Sequence, residues 1–79
     1  MERDEAFAKF KETTVKVLHV EEEKVVPEAT FAGDLEIDSL DLVELVMALE
    51  DEFEITVPES DLEGVDTVGK AFDLIYGKL

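Results

Sequence analysis

Cysteine is absent from this chain of 79 residues. That excludes a disulfide framework, a thiolate metal site and a cysteine nucleophile. Histidine occurs once, as His19, so a Ser-His-Asp arrangement would have to bring that one imidazole to Ser39 or Ser60. Basic residues are scarce: seven, against 22 acids, for a formal charge of −15. Nucleic-acid binding and attraction to an anionic membrane surface both need the positive patch that this composition lacks. No apolar run approaches the ~18–20 residues that cross a bilayer. The opening Met1-Glu2-Arg3-Asp4-Glu5 has neither the apolar stretch nor the cleavage site of a signal peptide. A cytoplasmic protein with no nucleic acid to bind and no membrane insertion is expected. Neither a Walker A loop nor GxGxxG is present. Carboxylates abound, but glycosidase-like pairs need a cleft larger than so short a chain can wall. The chain is not expected to be an enzyme.

What is there reads as one small domain, residues 1–79. At this size only ~60% of the unfolded surface is buried, which predicts marginal stability. The charge is segregated: between Lys24 and Lys70 there are 14 acids and no base. A partner would present a basic surface, and its approach would be steered electrostatically and be sensitive to salt. Pro27, Gly33, Pro58, Gly64, Gly69 and Gly77 divide the chain into helix-like pieces and loops. The first helix is predicted over 3–18, with Ala6, Phe7, Phe10, Thr13, Thr14, Val17 and Leu18 on one side. Residues 19–38 form a long loop with Val20, Val25, Phe31 and Leu35 as apolar anchors, a length that implies function or short internal turns. The second helix is predicted over 39–53, with Asp38 and Asp41 as a carboxylate variant of the capping box. One helical turn is expected after Pro58, with the proline at its first position. The last helix starts after Thr67 as N-cap, with a stripe of Val68, Ala71, Phe72, Ile75 and Leu79, and ends near Gly77. The fold class is all-α: a small bundle of three main helices and one short third helix.

The second helix carries two apolar stripes. At 100° per residue, Leu42, Leu45, Val46, Leu49 and Phe53 span about 100° of arc and face the core. Leu40, Val43 and Met47 lie opposite, among Glu44, Glu50 and Asp51. A three-helix bundle cannot bury both faces. The outer stripe is either ordinary exposed apolar surface or a docking face for a basic partner.

Asp34-Leu35-Glu36-Ile37-Asp38 sets acids at calcium-loop positions 1, 3 and 5, but Ser39 and Leu45 stand where an EF-hand needs Gly and Glu, so no metal site is assigned. Weak divalent binding to clusters such as Glu50-Asp51-Glu52 remains an alternative role, that of an acidic interaction protein. Ser39 lies at a helix N-terminus, where free amides favour an anion such as a phosphate ester. Serine also caps helices well, and the residues alone leave both roles open.

The stretch Asp34-Leu35-Glu36-Ile37-Asp38-Ser39-Leu40-Asp41-Leu42-Val43-Glu44-Leu45-Val46-Met47-Ala48-Leu49-Glu50-Asp51-Glu52-Phe53 strongly resembles the modification site and second helix of bacterial acyl carrier proteins. The resemblance runs back to Thr30-Phe31 and on through Val57-Pro58 and Thr67-Val68-Gly69 to Ile75. It implies a four-helix bundle with a short third helix. It implies a cofactor, 4′-phosphopantetheine from coenzyme A, on Ser39, whose thiol carries acyl groups as thioesters. It implies that Asp38, Leu40, Asp41, Glu44, Met47, Glu50 and Asp51 recognise partner enzymes, and the wheel adds Val43. Those partners are a phosphopantetheinyl transferase and the acyltransferase, ketosynthase, reductase and dehydratase enzymes of acyl-chain synthesis, with basic docking surfaces. Phe31, Leu45, Val46, Leu49 and Val57, with Leu62, Val65, Ala71 and Ile75, match the apolar interior that shelters an acyl chain in the family. The carrier is expected to be a monomer. Three positions depart from the pattern: Glu36-Ile37 replaces the common Gly-Ala, Thr13-Thr14 replaces aliphatics, and Leu42 replaces a small polar residue. They leave two pathways open, fatty-acid synthesis first and a polyketide or other specialised acyl pathway second.

Overall fold

The computed structural model describes residues 2–79; Met1, the first residue of the expected 1–79 domain, lies outside them. Three α-helices carry the fold: α1 (Arg3–Leu18), α2 (Ser39–Phe53) and α3 (Val68–Gly77). Two single 3-10 turns, Glu22–Lys24 and Glu59–Leu62, lie in the connections. The expected all-α bundle is present, and its short third helix is the second of these turns, for which Pro58 is the N-cap rather than the first helical residue. Among the described residues the one β-type pairing is an isolated bridge between Thr30 and Thr67.

The three helices bury a common apolar centre. Phe10, Leu45, Leu49, Val68 and Ile75 are its most enclosed side chains, together with Val25 from the long loop. Phe7, Phe10 and Phe72 meet edge to face across α1 and α3, with centroids 5.0 Å (Phe7–Phe72) and 5.5 Å (Phe10–Phe72) apart, a geometry that the ring quadrupole favours. Arg3 lies over Phe72 and Tyr76 and bonds Asp73 at 2.7 Å, pinning the start of α1 to α3. Thr13 and Thr14, the departures on α1, are buried. Their hydroxyls donate to the carbonyls of Lys9 (3.0 Å) and Phe10 (2.8 Å), so neither leaves a polar atom without a partner. Leu79 differs from expectation: α3 stops at Gly77, and Leu79 beyond it is exposed.

The long loop packs down: of its four predicted anchors Val25, Phe31 and Leu35 are buried and Val20 is half-buried, and Ala29 is buried beside them. It is clasped to the start of α3 by three backbone bonds, Phe31 N–H to Asp66 O, Val68 N–H to Ala29 O and Gly69 N–H to Pro27 O. The last is the tightest approach. A Cβ on residue 69 would sit 2.9 Å from the Pro27 carbonyl oxygen, so only glycine fits there without displacing the loop. Within the loop, Asp34 accepts from the Thr30 amide at 2.8 Å while Thr30 Oγ1 accepts from the Asp34 amide at 3.1 Å.

Glu36, just before the second helix, holds a left-handed φ of 53°. A side chain costs ~1–2 kcal/mol in that region, and glycine returns ~0.5–1 kcal/mol of this as unfolded-state entropy. Glu36→Gly, the residue common at this position in the proteins that the chain resembles, is therefore expected to raise stability by up to ~1 kcal/mol. Urea unfolding midpoints of the two proteins check this. An unchanged or lower midpoint would mean that the Glu36 side chain makes contacts worth as much as the strain.

Candidate functional site

The site begins where the loop meets α2. Asp38, not Ser39, is the N-cap. Its carboxylate accepts from the Asp41 amide at 3.0 Å, and the Asp41 carboxylate accepts from the Asp38 amide at 3.4 Å, closing the expected capping box. Ser39 is the first helical residue and is exposed. Among the described residues its hydroxyl makes no hydrogen bond. Of the two roles the residues left open for Ser39, the helix cap is thus taken by its neighbour. Asp38→Ala is expected to cost ~0.5–2 kcal/mol in thermal unfolding, and Asp38→Asn most of an order less, because the amide oxygen still caps. Equal losses from the two would show that charge, not the cap bond, is what Asp38 supplies.

The helix start suits an anion bound to that hydroxyl. The amides of the first turn point outward beyond the Asp38 bond, and the dipole adds its positive end. The flanking carboxylates oppose it, but at an exposed position that repulsion is screened. A phosphodiester on Ser39 therefore fits the residues present.

Ser39 stands on the rim of two clefts. One, of about 400 Å³, is walled by Phe31, Ile37, Leu42 and Val65 with Asp66 at its edge. It is at the low end of the ~300–1,000 Å³ of small-ligand sites. Lys70, paired with Asp66 at 3.0 Å, holds that carboxyl below the usual carboxylate range. The contribution of the pair is present above that range and fades as pH falls through the lowered value. The other cleft, about 490 Å³, lies between α2 and the turn at Glu59–Leu62, against Leu42, Val43 and Leu62. A groove of about 170 Å³ continues along α2, lined by Val46, Met47, Glu50, Val57, Glu59 and Leu62 among others.

The nine interior residues proposed from sequence divide accordingly. Phe31 and Val65 wall the cleft beside Ser39, and Val46, Val57 and Leu62 line the groove. Leu45, Leu49, Ala71 and Ile75 are packed into the closed core. Ile37 and Leu42 were not on that list, yet both reach the cleft. Their one sequence signal is that both depart from the pattern the chain otherwise resembles.

The outer face of α2 is as the wheel drew it. Leu40 is 66% exposed, Met47 60% and Val43 39%. Glu44 and Asp51 are exposed beside them, with Asp38 and Asp41 at the helix start. Five of the seven bases are drawn into ion pairs elsewhere, at Arg3–Asp73, Lys9–Glu52, Lys11–Glu22, Lys70–Asp66 and Lys78–Asp61. Among the described residues Asp38, Asp41, Glu44, Glu50 and Asp51 have no basic partner. The face is apolar in its middle and uncompensated in charge around it. Glu50 and Asp41 are half-buried, and the other three are exposed.

A family model described as "Phosphopantetheine attachment site" matches residues 8–75. The chain is a member of the acyl carrier protein family. It is 46% identical over its whole length to an acyl carrier protein of Petrotoga mobilis, covering 93% of that relative. It is 47% identical over 75 residues, 95% of the chain, to one of Rubrobacter xylanophilus, again covering 93% of it. A third, of Thermosynechococcus vestitus, is 47% identical over the full chain and 98% covered. Members of this family are carriers rather than enzymes, and the group they bear is phosphopantetheine. A carrier of this kind meets the enzymes of the synthesis that it serves. Among the described residues, no helix is long and apolar enough to cross a membrane.

Proposed function

We propose that Ser39 is the attachment point of 4′-phosphopantetheine and that this carrier serves fatty-acid synthesis. The observation that supports this most is the free, exposed hydroxyl of Ser39 at the first turn of α2, with the cap made by Asp38 and Asp41 instead. When bound, the group supplies a thiol on a long arm, which holds the acyl cargo as a thioester. The chain's own residues do the rest. Asp38, Asp41, Glu44, Glu50 and Asp51 attract basic surfaces, and Leu40, Val43 and Met47 fill shallow apolar pockets on them. Partners of this kind are the phosphopantetheinyl transferase, then acyltransferase, ketosynthase, reductase and dehydratase enzymes. Each contact is weak, because one carrier must leave each enzyme for the next. Phe31, Ile37, Leu42 and Val65 shelter what lies next to Ser39, and Val46, Val57 and Leu62 line the route beyond. Residues 1–79 act as one acyl carrier domain, monomeric and cytoplasmic.

A second reading rests on where the departures fall. Ile37 and Leu42 both wall the cleft beside Ser39, the place where cargo would be distinguished, and this favours a polyketide or other specialised acyl pathway over random drift. Incubation with coenzyme A and a broad-specificity phosphopantetheinyl transferase, followed by intact and peptide mass spectrometry, tests the attachment. An adduct on the Ser39 peptide is expected. No adduct, with a control carrier modified in parallel, would overturn the assignment. Loading the modified protein from a panel of acyl donors then separates the pathways.

A further inference from the structure

Glu50 makes a bond that its place on the outer face does not require. Its carboxylate Oε2 accepts from the Val57 amide at 2.8 Å, seven residues on and partly buried. Its backbone carbonyl accepts from Glu54 and, at 3.1 Å, from Ile55. One residue thus gathers the whole turn after α2, a turn that passes through Glu54 at a left-handed φ of 55°. Val57 is followed by Pro58 and the turn carrying Leu62, so the carboxylate also fixes the far wall of the groove. Glu59 faces the same groove. A cation arriving there meets two carboxylates, one of which is already accepting a hydrogen bond.

We infer that Glu50 is a latch, and that a cationic group of a docking partner opens the groove by drawing the Glu50 carboxylate off the Val57 amide. The inference deepens the docking role given to this face above and rests on it. The two states differ in one exchange. The carboxylate accepts either from Val57 or from the partner's cation, and the second choice is the stronger, because both groups are charged. Releasing Val57 loosens the segment from Ile55 to Leu62, which is then held by the Ile55 bond to the Glu50 carbonyl, the Lys78–Asp61 pair and the packing of Val57 and Leu62. The apolar wall of Val57 and Leu62 then moves away from Val46 and Met47, and what the groove shelters is exposed when an enzyme is at hand. No separate signal is needed, since recognition and opening use the same side chain.

Amide exchange of Val57, read by NMR, tests the latch on the whole chain. In the free protein, Glu50→Gln retains an acceptor oxygen, and its Val57 protection is expected to stay near that of the parent. Glu50→Ala is expected to lose about tenfold, the equivalent of one hydrogen bond at 1.4 kcal/mol. Hexa-arginine at low salt then serves as the cationic probe. It is expected to speed Val57 exchange several-fold in the parent and to leave Glu50→Gln unchanged, because the amide offers no charge to compete for. Unchanged protection in Glu50→Ala would overturn the latch, as would equal acceleration by the peptide in the parent and in Glu50→Gln, or none in either. Loading of Ser39 by the transferase is scored separately on the same three proteins. A parent that is not modified removes the carrier assignment and leaves the exchange result standing; normal modification with no latch signal removes only the latch.

Discussion

Ser39→Ala is expected to abolish loading from coenzyme A entirely while leaving the fold in place. The two halves of that outcome come from different residues. Loading disappears because Ser60, the other serine, sits between Glu59 and Asp61 on a four-residue 3-10 turn, without the α-helix N-terminus that offsets the neighbouring carboxylates at Ser39. The fold stays because the helix is capped by Asp38 and Asp41, and Ser39 contributes no bond to it. Alanine is also the better helix former at this exposed first-turn position. A thermal midpoint within a degree or two of the parent, beside a mass spectrum with no adduct, meets the expectation. A large drop in the midpoint would mean that Ser39 is a structural residue and would undo the argument from the capping box.

The second large effect is on encounter. Reversing Glu44 and Asp51 together to lysine is expected to slow transfer from a basic transferase by ~10–100-fold at low salt, the usual scale of electrostatic steering. Both side chains are exposed, neither is paired among the described residues, and five of the seven bases are committed elsewhere. Raising salt to ~1 M shortens the screening length to ~3 Å, and most of the difference should then vanish. Rates compared at the two salt concentrations decide it. A loss of equal size at both would show that these carboxylates act by close contact within the complex rather than by steering the approach.

Much of this architecture was legible in the sequence. The spans of α1 and α2 follow from periodicity and from Asp38, and Thr67 marks the start of α3 as the cap that accepts from Lys70. The two faces of α2 follow from spacing alone, because a helix at 100° per residue leaves Leu40, Val43 and Met47 nowhere to go but outward. The interior was legible only by half. A wheel says that Leu45, Leu49, Ala71 and Ile75 point inward but not whether inward is filled, and here it is filled. Leu42 shares the inward stripe, yet it is only half-buried and walls the cleft together with Phe31 and Ile37 of the loop, which no wheel can place. The Glu50–Val57 bond had no sequence signal. It depends on a left-handed Glu54, and nothing about glutamate announces that conformation. Thr13 and Thr14 depart from the aliphatic pattern of α1, and the carbonyls one turn back satisfy their buried hydroxyls, which spacing alone does not reveal.

The clasp between the long loop and α3 has a consequence for how the molecule comes apart. Pro27, Ala29 and Phe31 exchange backbone bonds with Asp66, Val68 and Gly69, so the two strips must separate together or not at all. The turn from Glu54 to Leu62 shares none of those bonds; its ties run to α2 through Glu50, and to α3 only through Lys78 at its far end. The chain is thereby divided into two cooperative regions of unequal strength. The floor under Ser39 belongs to the strong one and the flap beside the groove to the weak one. Opening of the turn from Glu54 to Leu62 is therefore expected at a lower cost than separation of the clasp, so the wall of the groove can yield while the start of α2 keeps its place.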